Sequence, residues 1–290
     1  MLEQKFPFIM ILLRGLGQIM LQENAATGVL FLIGIFYGSP TMGFAAILSV
    51  CCGTLTAKFL GYDKSEIEKG LYGFSAALVG VALTLYFEAV FIIWLAIILG
   101  SIAATVLQHF FIIKKITVFT LPFVLVTWLI LFLFQNVYPL APSALLDAAL
   151  PTDLDFTFAA RGFGQVIFQG SLFAGILFFL GVYINSPISA LYGIAGAVLA
   201  AILSSYFSAP IASIAMGLFS YNAVLCAIVF AGDKVKDGIW VFLSVVLSVF
   251  ISLIMHQYQL TQLTFPFVAA SCIALLLKNV MPFVTKELKF

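Results

Sequence analysis

Apolar stretches long enough to cross a lipid bilayer recur along the whole length of this chain, and that recurrence restricts its fold more than any other feature. A bilayer core leaves two ways to satisfy every backbone polar group, bundled helices or a closed barrel. A barrel would show alternating segments of about ten residues, whereas these runs are continuously apolar. Of 290 residues, 63% are apolar and 9% charged, against about 25% charged in ordinary soluble domains. A water-facing surface cannot be assembled from that composition, so the chain reads as an all-α integral membrane protein with the lipid bilayer as its surroundings. The net charge of +1 offers no basic patch for nucleic acid. The first apolar run starts at Phe6, contains Arg14 and has no small-residue cleavage site, so it is not read as a signal peptide. Cys51, Cys52, Cys226 and Cys272 lie inside apolar runs without metal-ligand spacing. They read as inert thiols, and no metal or other cofactor is expected.

An internal duplication organises these stretches. Residues 14–40 read RGLGQIMLQENAATGVLFLIGIFYGSP and residues 161–187 read RGFGQVIFQGSLFAGILFFLGVYINSP, with 11 of 27 positions identical. Arg14 aligns with Arg161, Gln18 with Gln165, Gly28 with Gly175 and Pro40 with Pro187, all 147 residues apart. The same offset aligns GLYGFSAAL (70–78) with GLFSYNAVL (217–225), and VFTLPFV (118–124) pairs with QLTFPFV (262–268) at an offset of 144. Compositional bias can match leucines, but not Arg, Gln, Gly and Pro together at one fixed offset. The expected organisation is a first repeat over 1–147, ending in an external linker from about 138, and a second over 148–290.

Each copy shows a short interrupted segment at Arg-Gly-x-Gly-Gln, then five apolar segments. These lie near 25–38, 40–60, 70–87, 89–113 and 118–137 in the first copy. In the second they lie near 172–184, 187–207, 211–231, 239–256 and 263–281. An odd number of crossings makes the second copy enter from the opposite side, giving ten spans in two inverted-topology repeats around a central pore. Charge placement agrees under the positive-inside rule. Lys5, Lys58, Lys64, Lys69, Lys114, Lys115, Lys234, Lys236, Lys278, Lys286 and Lys289 share one side if both termini are cytoplasmic. The linker holds Asp147, Asp153 and Asp155 but no Lys or Arg.

Inverted repeats place functional sites near the bilayer midplane, at broken helices. Two breaks occur in each copy. The glycines and arginine of Arg-Gly-x-Gly-Gln cannot sit at a lipid-facing helix centre, because a charge there costs roughly 2.5–3.5 kcal/mol. Arg14 and Arg161 are therefore expected to cap loops or to pair internally, each beside a re-entrant half-helix. The second break is Thr-x-Pro, at Thr120–Pro122 and Thr264–Pro266. A helix is expected to begin near each proline, with the segment before it extended. Gln18 and Gln165 would then offer amide carbonyls, and Thr120 and Thr264 hydroxyls, none of them charged. Phe74, Phe168 and Tyr221 would supply flat walls. Such a lining suits a neutral, planar, polar solute with N–H groups and serves a bare ion poorly.

The two Arg-Gly-x-Gly-Gln-x-x-[Leu/Phe]-Gln blocks, the two Gly-Leu-x-x-[Phe/Tyr]-x-x-x-Leu blocks and the two Thr-x-Pro-Phe blocks, in that order, resemble the urea transporters over nearly the whole chain. The resemblance implies a channel-like facilitator for urea or a close analogue, associating as homotrimers with one pore per protomer, in the inner membrane of a cell. It assigns the pore to Gln18 and Gln165, with Ile19 and Val166 beside them. The aromatic slots fall on Phe74, Phe168 and Tyr221, the midplane threonines on Thr120 and Thr264, and the narrowing leucines on Leu78 and Leu225. Two positions depart from the family pattern. Leu21 stands in an aromatic slot, and Ser75 stands where asparagine is common. Both departures point to a looser selectivity or to a relative of urea as substrate.

Other functions need features that the chain lacks. An ion-coupled secondary transporter, the main rival, calls for a titratable or cation-coordinating midplane group, and no paired intramembrane carboxylates occur, although coupling through backbone carbonyls stays open. A water or glycerol channel calls for Asn-Pro-Ala half-helices, and an ammonia channel for a close histidine pair. His109 and His256 are scattered. No catalytic dyad or metal cluster suggests an enzyme.

Overall fold

A computed structural model describes residues 6–147, 151 and 153–280 of the chain. Lys5, Lys286 and Lys289 of the charge argument, both termini and the junction following residue 147 lie outside the described residues. The described residues form fourteen α-helices in two sets of seven. The first set is α1 (Pro7–Gly17), α2 (Ala25–Gly38), α3 (Pro40–Phe59), α4 (Lys64–Glu68), α5 (Phe74–Tyr86), α6 (Phe91–Ile113) and α7 (Leu121–Phe132). The second is α8 (Thr157–Gln165), α9 (Leu172–Asn185), α10 (Pro187–Tyr206), α11 (Ile211–Ala215), α12 (Tyr221–Phe230), α13 (Val235–Gln257) and α14 (Phe265–Val280). The order of long and short helices is the same in both sets, and no β-strand forms among the described residues.

Local sequence explains the starts. Ser39 and Ser186 accept hydrogen bonds from the backbone N–H groups of Met42 and Ser189, both at 3.3 Å, and Pro40 and Pro187 follow as the first helical residues. A serine cap with proline behind it satisfies one orphan donor and removes another. Asn24 caps α2 through Ala26 N–H at 2.8 Å, and Ser171 caps α9 through Ala174 N–H at 3.1 Å. Pro122 and Pro266 lie in the first turns of α7 and α14, where the missing N–H costs nothing.

Four helices, α3, α6, α10 and α13, run 20 or 23 residues and are apolar enough to cross a membrane. At 1.5 Å per residue they reach roughly 30–35 Å, the thickness of a hydrocarbon core. The remaining apolar helices are shorter, 10–17 residues. The other apolar stretches are thus not helical throughout. Turns at Gly70–Gly73 and before each Thr-x-Pro interrupt them, leaving half-length helices instead of ten continuous spans. The α1–turn unit Pro7–Met20 meets α2 at a bend of 76°. Leu99, Phe242, Leu191 and Leu276 stand exposed on the outer faces, the surface a polytopic helical membrane protein presents to lipid.

The halves meet through reciprocal contacts. Phe31 on α2 and Phe178 on α9, 147 residues apart, have ring centroids 5.0 Å from each other. Phe178 covers Gly34 and Phe31 covers Gly181, which is the same pair of positions taken in both directions. Asn185 Nδ2 donates to Gln22 Oε1 at 2.8 Å, and the side-chain oxygen of Gln169 fills the space above Gly38, again one relation used twice. Left-handed backbone repeats as well. Leu21 (φ 60°) matches Phe168 (φ 59°), Gly61 matches Ser208, and Gly70 matches Gly217 at an offset of 147, while Lys115 matches Gln259 and Phe119 (φ 50°) matches Leu263 (φ 44°) at 144. Among the described residues no positive φ lacks its counterpart.

Candidate functional site

Three breaks in the helices build, in each half, a largely apolar cavity that carries a few polar groups. Where α1 ends, the chain takes one 3₁₀ turn, Gln18–Met20, and reverses at left-handed Leu21. Where α4 ends, Gly70 (φ 79°) turns the chain against α1, and a Cβ there would lie 2.4 Å from the Gly15 nitrogen. Ahead of α7, Leu121 N–H donates to the Val118 carbonyl at 3.0 Å. This closes a tight turn with Phe119 in the left-handed region. The segment before Thr-x-Pro is therefore a turn, not the extended strand expected from sequence. The same turn forms ahead of α14, with Phe265 N–H on the Gln262 carbonyl at 3.0 Å.

The first vestibule, a cavity of about 470 Å³, is lined by Gln18, Ile19, Leu21, Phe74, Thr120 and neighbours that include Leu71, Gln108 and Phe119. The second, about 310 Å³, is lined by Gln165, Phe168, Tyr221 and neighbours that include Leu218, Gln262 and Leu263. Gln18/Gln165, Leu21/Phe168, Leu71/Leu218 and Phe74/Tyr221 are repeat partners at an offset of 147, and Phe119/Leu263 at 144. Thr120 and Thr264 are buried with their hydroxyls 2.6 Å apart, and Thr264 lines neither cavity. Val166, Leu78 and Leu225 are buried and line neither cavity.

Each polar group has a defined role. Gln18 Nε2 donates to the Lys69 carbonyl at 3.0 Å, so its oxygen is the atom left to accept from a solute. Tyr221 is pinned by its hydroxyl, which donates to the Leu263 carbonyl at 2.5 Å. Arg14 and Arg161 donate to the carbonyls of Glu68 and Ala215, both at 3.2 Å. They cap the free carbonyls ending α4 and α11, the loop-capping role expected from sequence. No Asp, Glu or His lines either vestibule among the described residues, and Lys115 lines the first vestibule from an exposed position. His109 stacks on Tyr62 with centroids 3.4 Å apart, and His256 packs on the edge of Phe219. Bulky residues with positive φ are strained outliers, and such strain gathers at functional sites. Each vestibule contains two, Leu21 and Phe119 in the first, Phe168 and Leu263 in the second.

Sequence reasoning missed several lining residues. Leu71 and Leu218 sit inside the Gly-Leu blocks, and Phe119 and Leu263 immediately precede the motif threonines, so their motifs already marked them. Gln108 sits in an apolar helix, and its repeat partner is Ser252, so the duplication gave no signal for an amide there.

Comparison with known proteins agrees with this geometry. Residues 9–279 match the family model described as urea transporter. The chain is 28% identical over 250 residues to a protein named urea transporter 1 from Ovis aries, covering 79% of this chain and 64% of that protein. It is 26% identical over 238 residues to urea transporter 1 from Rattus norvegicus, covering 76% of this chain and 62% of that protein. The match therefore spans less than two thirds of the length of these relatives. With the family model covering nearly the whole chain, the protein belongs to the urea transporter family.

Proposed function

We propose that this chain is a passive, channel-like facilitator that lets urea or a closely related small neutral amide cross the membrane down its gradient. The observation that carries the reading is the pair of vestibules with repeat-related, carboxylate-free linings, beside the hydrogen bond that joins Thr120 to Thr264 across the two halves. A planar amide needs acceptors for its N–H groups and gains little from charge. The oxygen of Gln18, the Gln165 amide and the two hydroxyls offer that. A dehydrated ion would need full charges or a ring of carbonyls to replace its water.

The same reading makes the two halves inverted repeats, residues 1–147 and 148–290, with the pore on their pseudo-two-fold axis. The reciprocal Phe31–Phe178 and Gln22–Asn185 contacts support it, since a two-fold axis makes each contact occur in both directions. Gln18, Ile19, Leu21, Phe74, Leu78, Thr120, Gln165, Val166, Phe168, Tyr221, Leu225 and Thr264 form the conduction path. Ten membrane crossings, with half-helices meeting to complete the shorter ones, leave both termini cytoplasmic in an inner membrane. The same reading takes the protein as a homotrimer with one pore per protomer and as a transporter rather than an enzyme, and membership of the family supports it.

Accumulation of labelled urea in proteoliposomes tests the passive reading. A passive pore brings urea to equal concentrations inside and out, whatever Na⁺ or pH gradient is imposed. Accumulation that follows either gradient would sink the proposal in favour of a coupled transporter.

A further inference from the structure

The two vestibules match in shape but not in the amide that serves them. In the second, Asn222 on α12 is buried, accepts from Phe267 N–H at 3.1 Å and donates to the Leu263 carbonyl at 3.4 Å. That carbonyl also receives the Tyr221 hydroxyl, so it is saturated. Its counterpart in the first vestibule is the Phe119 carbonyl. Phe74 has no hydroxyl, and Ser75 turns its hydroxyl to Gln108 Oε1 at 3.5 Å instead. The Phe119 carbonyl therefore has no side-chain donor among the described residues.

The missing amide reappears one helix away. Position 75 holds Ser where its partner is Asn222, and position 108 holds Gln where its partner, 144 residues on in the equally long α13, is Ser252. Gln108, on α6, is 8% exposed and lines the first vestibule. With its oxygen held by Ser75, its amide nitrogen has no acceptor within hydrogen-bonding reach among the described residues. An amide nitrogen that opens on a cavity is free to donate to what enters it, and a urea-like solute carries one strong acceptor, its carbonyl oxygen.

We propose that Gln108 is a specificity-determining residue of the first vestibule, donating from its amide nitrogen to the carbonyl oxygen of the solute. Together with the oxygen of Gln18 and the Phe119 carbonyl, it surrounds an amide with both donor and acceptors. At the matching position of the second half, Ser252 does not line the vestibule. The proposal rests on the reading of the protein as a urea facilitator.

The test is urea and thiourea flux, with half-saturation, for wild type, Gln108→Met and the double variant Ser75→Asn/Gln108→Met, each purified with a wild-type elution profile. Thiourea replaces the oxygen with a poor acceptor. Gln108→Met should raise the urea half-saturation about tenfold, the equivalent of one hydrogen bond of about 1.4 kcal/mol, and leave thiourea nearly unchanged. In the double variant the amide introduced on α5 can turn to the Phe119 carbonyl, as Asn222 turns to that of Leu263, so it should stay as impaired toward urea as the single variant. A merely structural role would depress both solutes together. Equal loss for both solutes, an unchanged urea half-saturation, or a double variant with the wild-type urea preference would overturn the proposal. Wild-type vesicles without urea flux would instead overturn the facilitator reading, and the Gln108 proposal with it.

Discussion

Thr120 lines the first vestibule, and its hydroxyl and that of Thr264 are each buried against the other. Thr264→Val keeps the shape but leaves the Thr120 hydroxyl without its partner, which costs about 1–3 kcal/mol. Replacing both threonines by valine removes donor and acceptor together, a change that can be nearly neutral for folding. The double variant should therefore melt close to wild type in detergent while its urea flux stays about tenfold down, and thermal melts beside flux assays separate the two effects. Gly28 makes a different demand. A Cβ there would lie 1.9 Å from the Leu13 carbonyl oxygen, and at Gly175 2.1 Å from that of Ala160, so α1 and α2, like α8 and α9, pack backbone to backbone. Gly28→Ala should lower stability by about 1–3 kcal/mol, the usual cost of overpacking. Gly61→Ser should cost far less, because nothing lies within 4 Å of a Cβ there and its partner Ser208 already carries a side chain at φ 57°.

At the scale of elements, the short helices and their turns matter most. Asp155 stands ahead of α8, accepting from Thr157 N–H at 3.0 Å and from the Thr157 hydroxyl. The hydroxyl bond, above all, holds its carboxyl below the usual carboxylate range, with Arg161 adding a smaller pull. A lowered folded pKa means that its contribution is present above the unfolded value near 3.9 and is lost as pH falls through the folded one. Asp155→Ala should therefore lower the melting temperature slightly at pH 7, and the difference from wild type should vanish in acid below the folded pKa. The helix starts were legible in the sequence because Ser-Pro and Thr-x-Pro carry their own local chemistry. The left-handed turns at Leu21, Phe119, Phe168 and Leu263 were not, because nothing in a bulky residue announces a positive φ and only the surrounding packing imposes it. Of the site, the glutamines, threonines and aromatics were legible from duplicated motifs, while Gln108 breaks the duplication and was hidden by that.

For the whole molecule, the duplication has a consequence for orientation. Lys64 at the start of α4 and Ile211 at the start of α11 are repeat partners, both exposed. If the copies are inverted, cysteines placed at these two positions in a cysteine-free background react with a membrane-impermeant maleimide from opposite faces of sealed vesicles. Labelling from one face would contradict the inversion. The account centres on passive movement of a neutral amide along the path through Gln18 and Thr264, and stopped-flow light scattering on proteoliposomes measures that movement most directly. Fast urea entry that is indifferent to imposed Na⁺ and pH gradients, and that falls in Gln18→Leu and Thr264→Val, is the predicted result. Entry that requires a gradient, or that survives both substitutions unchanged, would contradict it.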